Sequence, residues 1–147
     1  MKVVALDPGG TTGYAHGLID EGKPMLVVTG QKKFTHSDLM KHLEELQPDV
    51  IVYERFDYRN RARKGLELIS RELIGVAELY TQQHPQVVLH KQTASSVMSY
   101  YNDNRLRLDL VYKPGKEHAN DAVRHLLYWF TFGPGYKYNE HGFKAGS

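Results

Sequence analysis

The segment KVVALDPGG, residues 2–10, decides the fold of this chain. Its first part is a short apolar run that ends at Asp7, which predicts a central β-strand. Pro8, Gly9 and Gly10 follow at once, and this combination makes a turn nearly obligatory. The strand is therefore predicted to end in a carboxylate at the point where the chain turns.

A second strand has the same design. In DVIVYE, residues 49–54, the apolar run from Val50 to Tyr53 ends at Glu54. A strand that is apolar on both faces is typical of a parallel strand inside a sheet. If the two strands are parallel neighbours, Asp7 and Glu54 lie at the same sheet edge, about 5 Å apart.

The other segments predict an α/β domain with a mixed five-stranded sheet. Two further strands complete an antiparallel meander with the first strand: TTGYAHGLI (11–19) and KPMLVVTG (23–30). A fifth strand is predicted at QVVLH (86–90), and it should be parallel to strands one and four because helices connect them. One helix is predicted within THSDLMKHLEELQPD (35–49), with Thr35 or Ser37 capping its start and Pro48 just past its end; others are predicted over residues 65–83, 92–100 and 117–131. Residues 102–115 are predicted to be an irregular loop.

Composition narrows the class of protein. The chain has 147 residues, of which 41% are hydrophobic, and no cysteine. A folded domain over residues 1–132 is expected, with a flexible tail over 133–147. Disulfides and thiolate metal sites are excluded, and no apolar run approaches a membrane span or a signal peptide. We expect a cytoplasmic protein, from a bacterial or phage-infected cell.

Asp7 and Glu54 are the first candidate metal ligands. At such a short distance, two carboxylates raise each other's pKa unless a cation lies between them. Carboxylate oxygens are also suitable ligands for a hard divalent ion. Each residue also has a simpler interpretation. Asp7 can be an ordinary turn aspartate, and Glu54 a solvated strand end beside Arg55.

The start of the last helix supplies two further candidates. In KEHANDAV, residues 116–123, His118 and Asp121 share one face and form a stripe with His125 along the flank of the core positions. A side chain on that flank can reach a strand end. The alternatives are a surface histidine and an acid that complements the helix dipole. Glu117, beside the stripe, is a weaker candidate ligand.

A basic segment follows Glu54 directly and predicts contact with nucleic-acid phosphates. Tyr58 lies within it and can stack on an unpaired base. A solvated loop is the alternative interpretation. Tyr100 and Tyr101 are candidates for a wedge, although core aromatic residues are commoner at such positions. The candidate DNA-binding residues are Arg55, Tyr58, Arg59, Arg61, Arg63, Lys64 and Lys91.

Three patches together resemble the RuvC Holliday junction resolvases of the ribonuclease H-like superfamily: ALDPGGTTGYA, IVYERF and KEHANDAVRHLLYW, in that order. The resemblance implies a ribonuclease H-like fold and a metal-dependent endonuclease of DNA recombination and repair that cuts four-way junctions. It also implies that Asp7, Glu54, His118 and Asp121 are catalytic and hold two Mg²⁺ or Mn²⁺ ions, with Mn²⁺ at least as effective because of the histidine.

The same resemblance implies a homodimer, because a junction is two-fold symmetric and needs two coordinated sites. Leu68 and Leu79 lie off the apolar face of the 65–83 helix and are candidate interface residues. One departure from the family is HKQTASSVMSYYNDNRLR, residues 90–107, where a glycine-rich, lysine-containing segment is usual. There Lys91, Arg105 and Arg107 can supply charge.

Three other functions remain open. A nuclease of the same fold that prefers flaps or forks is favoured by the missing glycine-rich segment. A phosphate-binding ATPase of the actin and Hsp70 type has a first loop like LDPGGTTG, residues 6–13, but needs two domains. A catalytically silent DNA-binding module is disfavoured because all four metal positions are filled.

Overall fold

A computed structural model describes residues 1–55 and 64–133, with residues 64–67 described as backbone only. Five strands and five helices occur in this part of the chain. The strands are β1 (Lys2–Asp7), β2 (Thr12–Asp20), β3 (Lys23–Lys32), β4 (Val50–Glu54) and β5 (Val88–Gln92). The helices are α1 (His36–Leu46), α2 (Lys64–Gln83), α3 (Ala94–Tyr100), α4 (Asp103–Leu108) and α5 (Glu117–Phe132).

The strands form one mixed sheet in the order β3-β2-β1-β4-β5. β1 pairs antiparallel with β2 and parallel with β4, and β4 pairs parallel with β5. The predicted ribonuclease H-like architecture is thereby confirmed. Leu6 is the register partner of Tyr53, so the next residues, Asp7 and Glu54, follow side by side at one sheet edge.

Alternation along the strands divides the core into two layers. Val3 and Ala5 of β1 pack against α5, whereas Val4 and Leu6 pack against α1 and α2. Asp7 continues the odd-numbered series and therefore points to the α5 face. The apolar residues that follow helical spacing on α5 are all buried: Ala119, Ala122, Val123, Leu126, Leu127 and Phe130.

Helix α5 approaches β2 unusually closely because two glycines face it. A Cβ atom at Gly13 would overlap the main-chain carbonyl of His118. A Cβ atom at Gly17 would lie 2.5 Å from the ring of Phe130 and 3.1 Å from Leu126. The β2 sequence thus brings both ends of α5 down onto the sheet.

The prediction of an irregular loop over residues 102–115 is wrong at its start. Residues Asp103–Leu108 form α4, and the side chain of Asn102 caps this helix by accepting from the Arg105 amide at 2.9 Å. A helix of six residues is too short to display a hydrophobic period, so only the cap was available as a signal.

Helical spacing on α2 puts Ile69, Leu73, Ala77 and Tyr80 on one apolar face; the last three are buried, but Ile69 is 39% exposed. Ile69 therefore belongs less to the apolar face than its spacing indicated. Leu68 and Leu79 are 65% and 46% exposed, as expected for residues off that face. Within the described residues, no helix combines the length and apolarity needed to cross a bilayer. The predicted tail lies outside the described residues from position 134 onward.

Candidate metal centre

The carboxyl ends of β1 and β4 bring two acidic side chains together. Asp7 is only 7% exposed, and its carboxyl group interacts directly with that of Glu54. Asp7 and Glu54 each lie two residues after a side chain that is fully buried against α5, Ala5 and Val52 respectively. Because side chains alternate along a strand, Asp7 and Glu54 point to the same face. The sheet therefore aims both carboxyl groups at the first turns of that helix.

Helix α5 completes a compact group of ligand atoms. The Nδ1 atom of His118 lies 3.2 Å from Oδ2 of Asp7. Asp7, His118 and Asp121 each offer one ligand atom, and these atoms all lie within 4.8 Å of one another. A pair of carboxylates with one imidazole is a donor set that fits a divalent cation such as Mn²⁺ or Mg²⁺.

Glu54 does not belong to that three-residue group. Its carboxyl group is directed between Asp7 and His125, whose Nε2 lies 3.8 Å from Oε1 of Glu54. The four residues predicted from the sequence are thus in one place, with Glu54 reaching the group through its contact with Asp7. Glu117, the weaker candidate, is exposed and lies outside the group.

The electrostatics of the site favour a bound cation. Burial, together with hydrogen bonding and charge from Glu54 and Asp121, raises the pKa of Asp7 to about 10. Burial also raises the pKa of Asp121, against the opposing effect of Arg124. Burial acts to raise the pKa of Glu54 too, but hydrogen bonds with His125 and Asp7 outweigh it and lower the pKa to about 2. Converging carboxyl groups of this kind are relieved when a divalent ion takes the place of the shared proton.

Two outer side chains orient the candidate ligands. Arg124 is 5% exposed and donates from Nε to Oδ1 of Asp121 at 3.0 Å, and its other nitrogens bond to the Tyr101 carbonyl and to Asp103. His125 is 1% exposed, with Nδ1 2.8 Å from Oε1 of Gln92 on β5. Partners of this kind fix the orientation of a ligand and tune its affinity for metal.

Sequence reasoning found His125 in the flanking stripe but not its partner, and it missed Arg124 altogether. Arg124 occupies a buried position on a helix whose neighbours are apolar, and the pattern offers no sign that an arginine there is paired. Gln92 lies two residues beyond His90 on β5 and therefore points to the same face of the sheet as Glu54, its register partner. Strand alternation predicts this direction, but nothing in the sequence predicts the hydrogen bond to His125.

The start of α5 is held by residues outside the helix. Its N-cap residue, Lys116, makes no side-chain cap. Instead Oε1 of Gln31 on β3 accepts from the amides of His118 and Ala119, at 3.2 and 3.3 Å. A side chain from the sheet thus satisfies two of the free amides at this helix end and fixes the position of His118.

The candidate DNA-binding residues are described only in part. Arg55 and Lys91 are exposed at the carboxyl ends of β4 and β5, and the Arg55 amide donates to the Gln92 carbonyl at 2.7 Å. The side chain of Lys64 and all of Tyr58, Arg59, Arg61 and Arg63 lie outside the described residues. Of the two wedge candidates, Tyr101 is completely buried in the core and Tyr100 is 38% exposed.

Comparison with solved structures shows a RuvC-like resolvase fold. RuvC from T. thermophilus in complex with Holliday junction substrate aligns with a TM-score of 0.63 and 16% identity, over 85% of this chain and 90% of that one. The fowlpox virus Holliday junction resolvase aligns with a TM-score of 0.62 and 13% identity, over 88% and 97%. The yeast mitochondrial Holliday junction resolvase Ydc2 gives 0.59 and 15%, over 84% and 75%. No family model and no curated protein matches the chain.

Proposed function

We propose that this protein is a metal-dependent, structure-specific DNA endonuclease, a Holliday junction resolvase of the RuvC type. The observation that carries the proposal is the convergence of Asp7, Glu54, His118 and Asp121 from two strands and one helix. Three acids and a histidine that converge around the buried Asp7 are costly for folding unless a cation binds them. The similarity of the fold to junction resolvases supports branched DNA as the substrate class.

In this proposal Asp7, Glu54 and Asp121, together with His118, would hold two divalent cations. When bound, the cations activate a water nucleophile and stabilise the leaving oxygen of the phosphodiester. The chain's own contribution is to hold these ligands in place. Arg124 holds Asp121, and His125 with Gln92 holds Glu54.

Substrate positioning is assigned to the basic residues at the same edge of the sheet. Arg55 and Lys91 are exposed beside the carboxyl groups and can contact phosphates without reading bases. A homodimer would present two such sites to a two-fold symmetric junction. The exposed residues Leu68 and Leu79 are the proposed contact between its subunits.

A nuclease that prefers flaps or forks is the second candidate function. The segment between β5 and α5 favours it, because residues 90–107 contain no glycine where junction resolvases usually have a flexible, glycine-rich segment. Cleavage rates on matched junction, flap and fork substrates separate the two functions. Cutting of junctions no faster than flaps would assign the protein to the second one.

The test of the nuclease itself uses Asp7→Asn. We expect this variant to fold and to bind branched DNA but to cut it with neither Mg²⁺ nor Mn²⁺. Asp20→Asn, at the opposite end of the sheet, is the matched control and should cut like the parent protein. Retained cleavage by Asp7→Asn would remove Asp7 from the mechanism.

A further inference from the structure

The loop that leads into α5 exposes two leucines. Leu108, the last residue of α4, is 79% exposed, and Leu110 is 83% exposed. Leu110 also has a φ of +60°, in the left-handed region that residues other than glycine avoid. A strained backbone that presents an apolar side chain to solvent is a feature from which function can be inferred.

This leucine loop, residues 107–116, is held firmly by the rest of the domain. The amide of Leu110 donates to the Arg107 carbonyl at 3.1 Å, and the amide of Val111 donates to the Leu106 carbonyl at 3.0 Å. Val111 itself is buried in the core. These bonds and the buried Val111 fix the backbone of the loop at Leu110.

Asn120 of α5 anchors the second half of the loop. Its side chain is 2% exposed; Oδ1 accepts from the Lys113 amide at 2.9 Å, and Nδ2 donates to the Lys113 carbonyl at 2.8 Å. Asn120 directly precedes Asp121, so the loop is fixed to the helix that carries two of the proposed ligands. Leu110 lies three residues from Lys113, a span of at most about 11 Å.

The charges around the leucines suit a polyanion. Arg107, Lys113 and Lys116 lie within the leucine loop, and in the described part of the chain the two lysines make no ion pair. Asp109, the acid within the loop, is buried and paired with Arg105 at 3.4 Å. Exposed Glu117 follows the loop and reduces this positive charge only in part.

A groove of about 530 Å³ separates the leucine loop from the edge of the sheet. It is lined by residues 26–29 of β3 and 110–113 of the loop. Six of its eight lining residues are aliphatic or aromatic, and Lys113 stands at one side. A groove of this size has room for a displaced base or sugar next to the leucines.

We propose that the leucine loop is a DNA wedge, in which Leu110, with Leu108 beside it, inserts at an unstacked base step of the branch point while Lys113 and Lys116 contact the flanking phosphates. Minor-groove and architectural proteins use leucine in this way, separating bases to gain contact with bent DNA. The proposal rests on the proposed function, since it assumes branched DNA as the substrate. It assigns the branch-point contact to a segment other than the basic residues after Glu54.

The test uses the full chain with Asp7→Asn in every arm, so that the DNA stays intact, and a four-way junction with 2-aminopurine at the branch point. Binding should raise the 2-aminopurine fluorescence, because the base loses its stacking partner. Adding Leu110→Asn should remove most of that rise and weaken binding about tenfold. Asparagine tolerates a positive φ, so the unfolding temperature should stay the same or increase.

Matched controls make the result specific. Val88→Thr replaces an apolar residue that is 54% exposed on the other sheet edge and should leave fluorescence and affinity unchanged. Lys113→Ala and Lys116→Ala should each reduce the slope of log affinity against log salt by about one, whereas Lys23→Ala, at the far hairpin, should not.

Full fluorescence and affinity in the Leu110→Asn variant would overturn the wedge. Unchanged DNA binding together with altered self-association in sedimentation would also overturn it, and would assign the leucines to a protein contact. Failure of the parent protein to cut any branched DNA is a separate result. It would reject the proposed nuclease, while the fluorescence and affinity still decide the wedge.

Discussion

The first turn of α5 rests directly on Gly13 of β2, so that a Cβ atom at Gly13 would overlap the main-chain carbonyl of His118. Gly13 is also the register partner of Asp7. One glycine of β2 therefore sets the distance between the sheet and α5, the helix that carries His118 and Asp121. The close approach is a property of the backbone, and no other residue type allows it.

Gly13→Ala should damage the site more than the fold. The added methyl group displaces the start of α5, and a shift of about 1 Å at a catalytic group can reduce the rate about a hundredfold. Overpacking should lower the free energy of unfolding by about 1–3 kcal/mol. Cleavage rates and urea unfolding measure the two effects.

Gly22→Ala is the control for lost stability. Gly22 has a φ of +78° in the β2–β3 hairpin and open space around it, so alanine should destabilise the fold through backbone strain. Its cleavage rate should nevertheless match the parent at temperatures well below unfolding. Equal losses of rate in both variants would show that Gly13 has no special role in placing His118.

Divalent ions should stabilise the protein through Asp7. An ion that binds only the native state adds about 2.7 kcal/mol at a hundredfold excess over its Kd. Asp7→Asn should remove this increment. Without metal, the same variant should be about 1–2 kcal/mol more stable than the parent, because asparagine ends the crowding of carboxyl groups that raises the pKa of Asp7.

Thermal unfolding with and without Mn²⁺ measures both effects. Asp20→Asn should behave like the parent protein under each condition. A Mn²⁺ increment that persists in Asp7→Asn would place the ion elsewhere on the molecule.

The sequence predicted the sheet and the four convergent side chains because each depends on a short-range pattern. Apolar runs that end in Asp7 and Glu54 define strand ends, and helical spacing places His118 and Asp121 on one flank. The side chains that hold these four residues in position come from distant segments of the chain, so they depend on tertiary contacts. Gln31 caps a helix that starts 86 residues later, and nothing in the local sequence of β3 indicates that bond.

Arg124 should be required to orient Asp121. Replacement by lysine keeps the charge but cannot supply three directed bonds at once. We expect Arg124→Lys to reduce cleavage and metal affinity about 10- to 100-fold. Asp103→Asn is the matched control, because it weakens only the bond between Arg124 and the half-exposed side chain at position 103. The bond between Arg124 and Asp121 stays intact.

Metal titration at equilibrium, with the cleavage rate measured at saturating metal, shows which effect dominates. A folded Arg124→Lys protein with parental metal affinity would restrict Arg124 to a structural role. The same result would leave the proposed ligands unaffected.

On the opposite face of the sheet, His16 of β2 and His42 of α1 form a pair of neutral histidines. Their Nε2 atoms lie 2.8 Å apart, among the rings of Tyr14 and Phe34. Burial, with a smaller contribution from the charge of His42, lowers the pKa of His16 to about 4. Burial and nearby Lys32 also lower the pKa of His42, while Glu45 opposes the change.

The pair should make the fold sensitive to acid. Because the folded pKa of His16 lies below the unfolded value of 6.5, the unfolded chain takes up protons first, and stability is lost as the pH falls from about 6.5 to 4. The loss should be roughly 1–2 kcal/mol, since partial exposure screens the pair.

His42→Phe keeps the aromatic packing and removes one titrating partner. Urea unfolding between pH 4 and 8 should therefore show that the free energy of unfolding falls less steeply with acid in this variant than in the parent. Because Asp7 titrates in both proteins, its contribution drops out of the comparison. Parallel pH profiles for the two proteins would exclude the histidine pair as the cause of acid sensitivity.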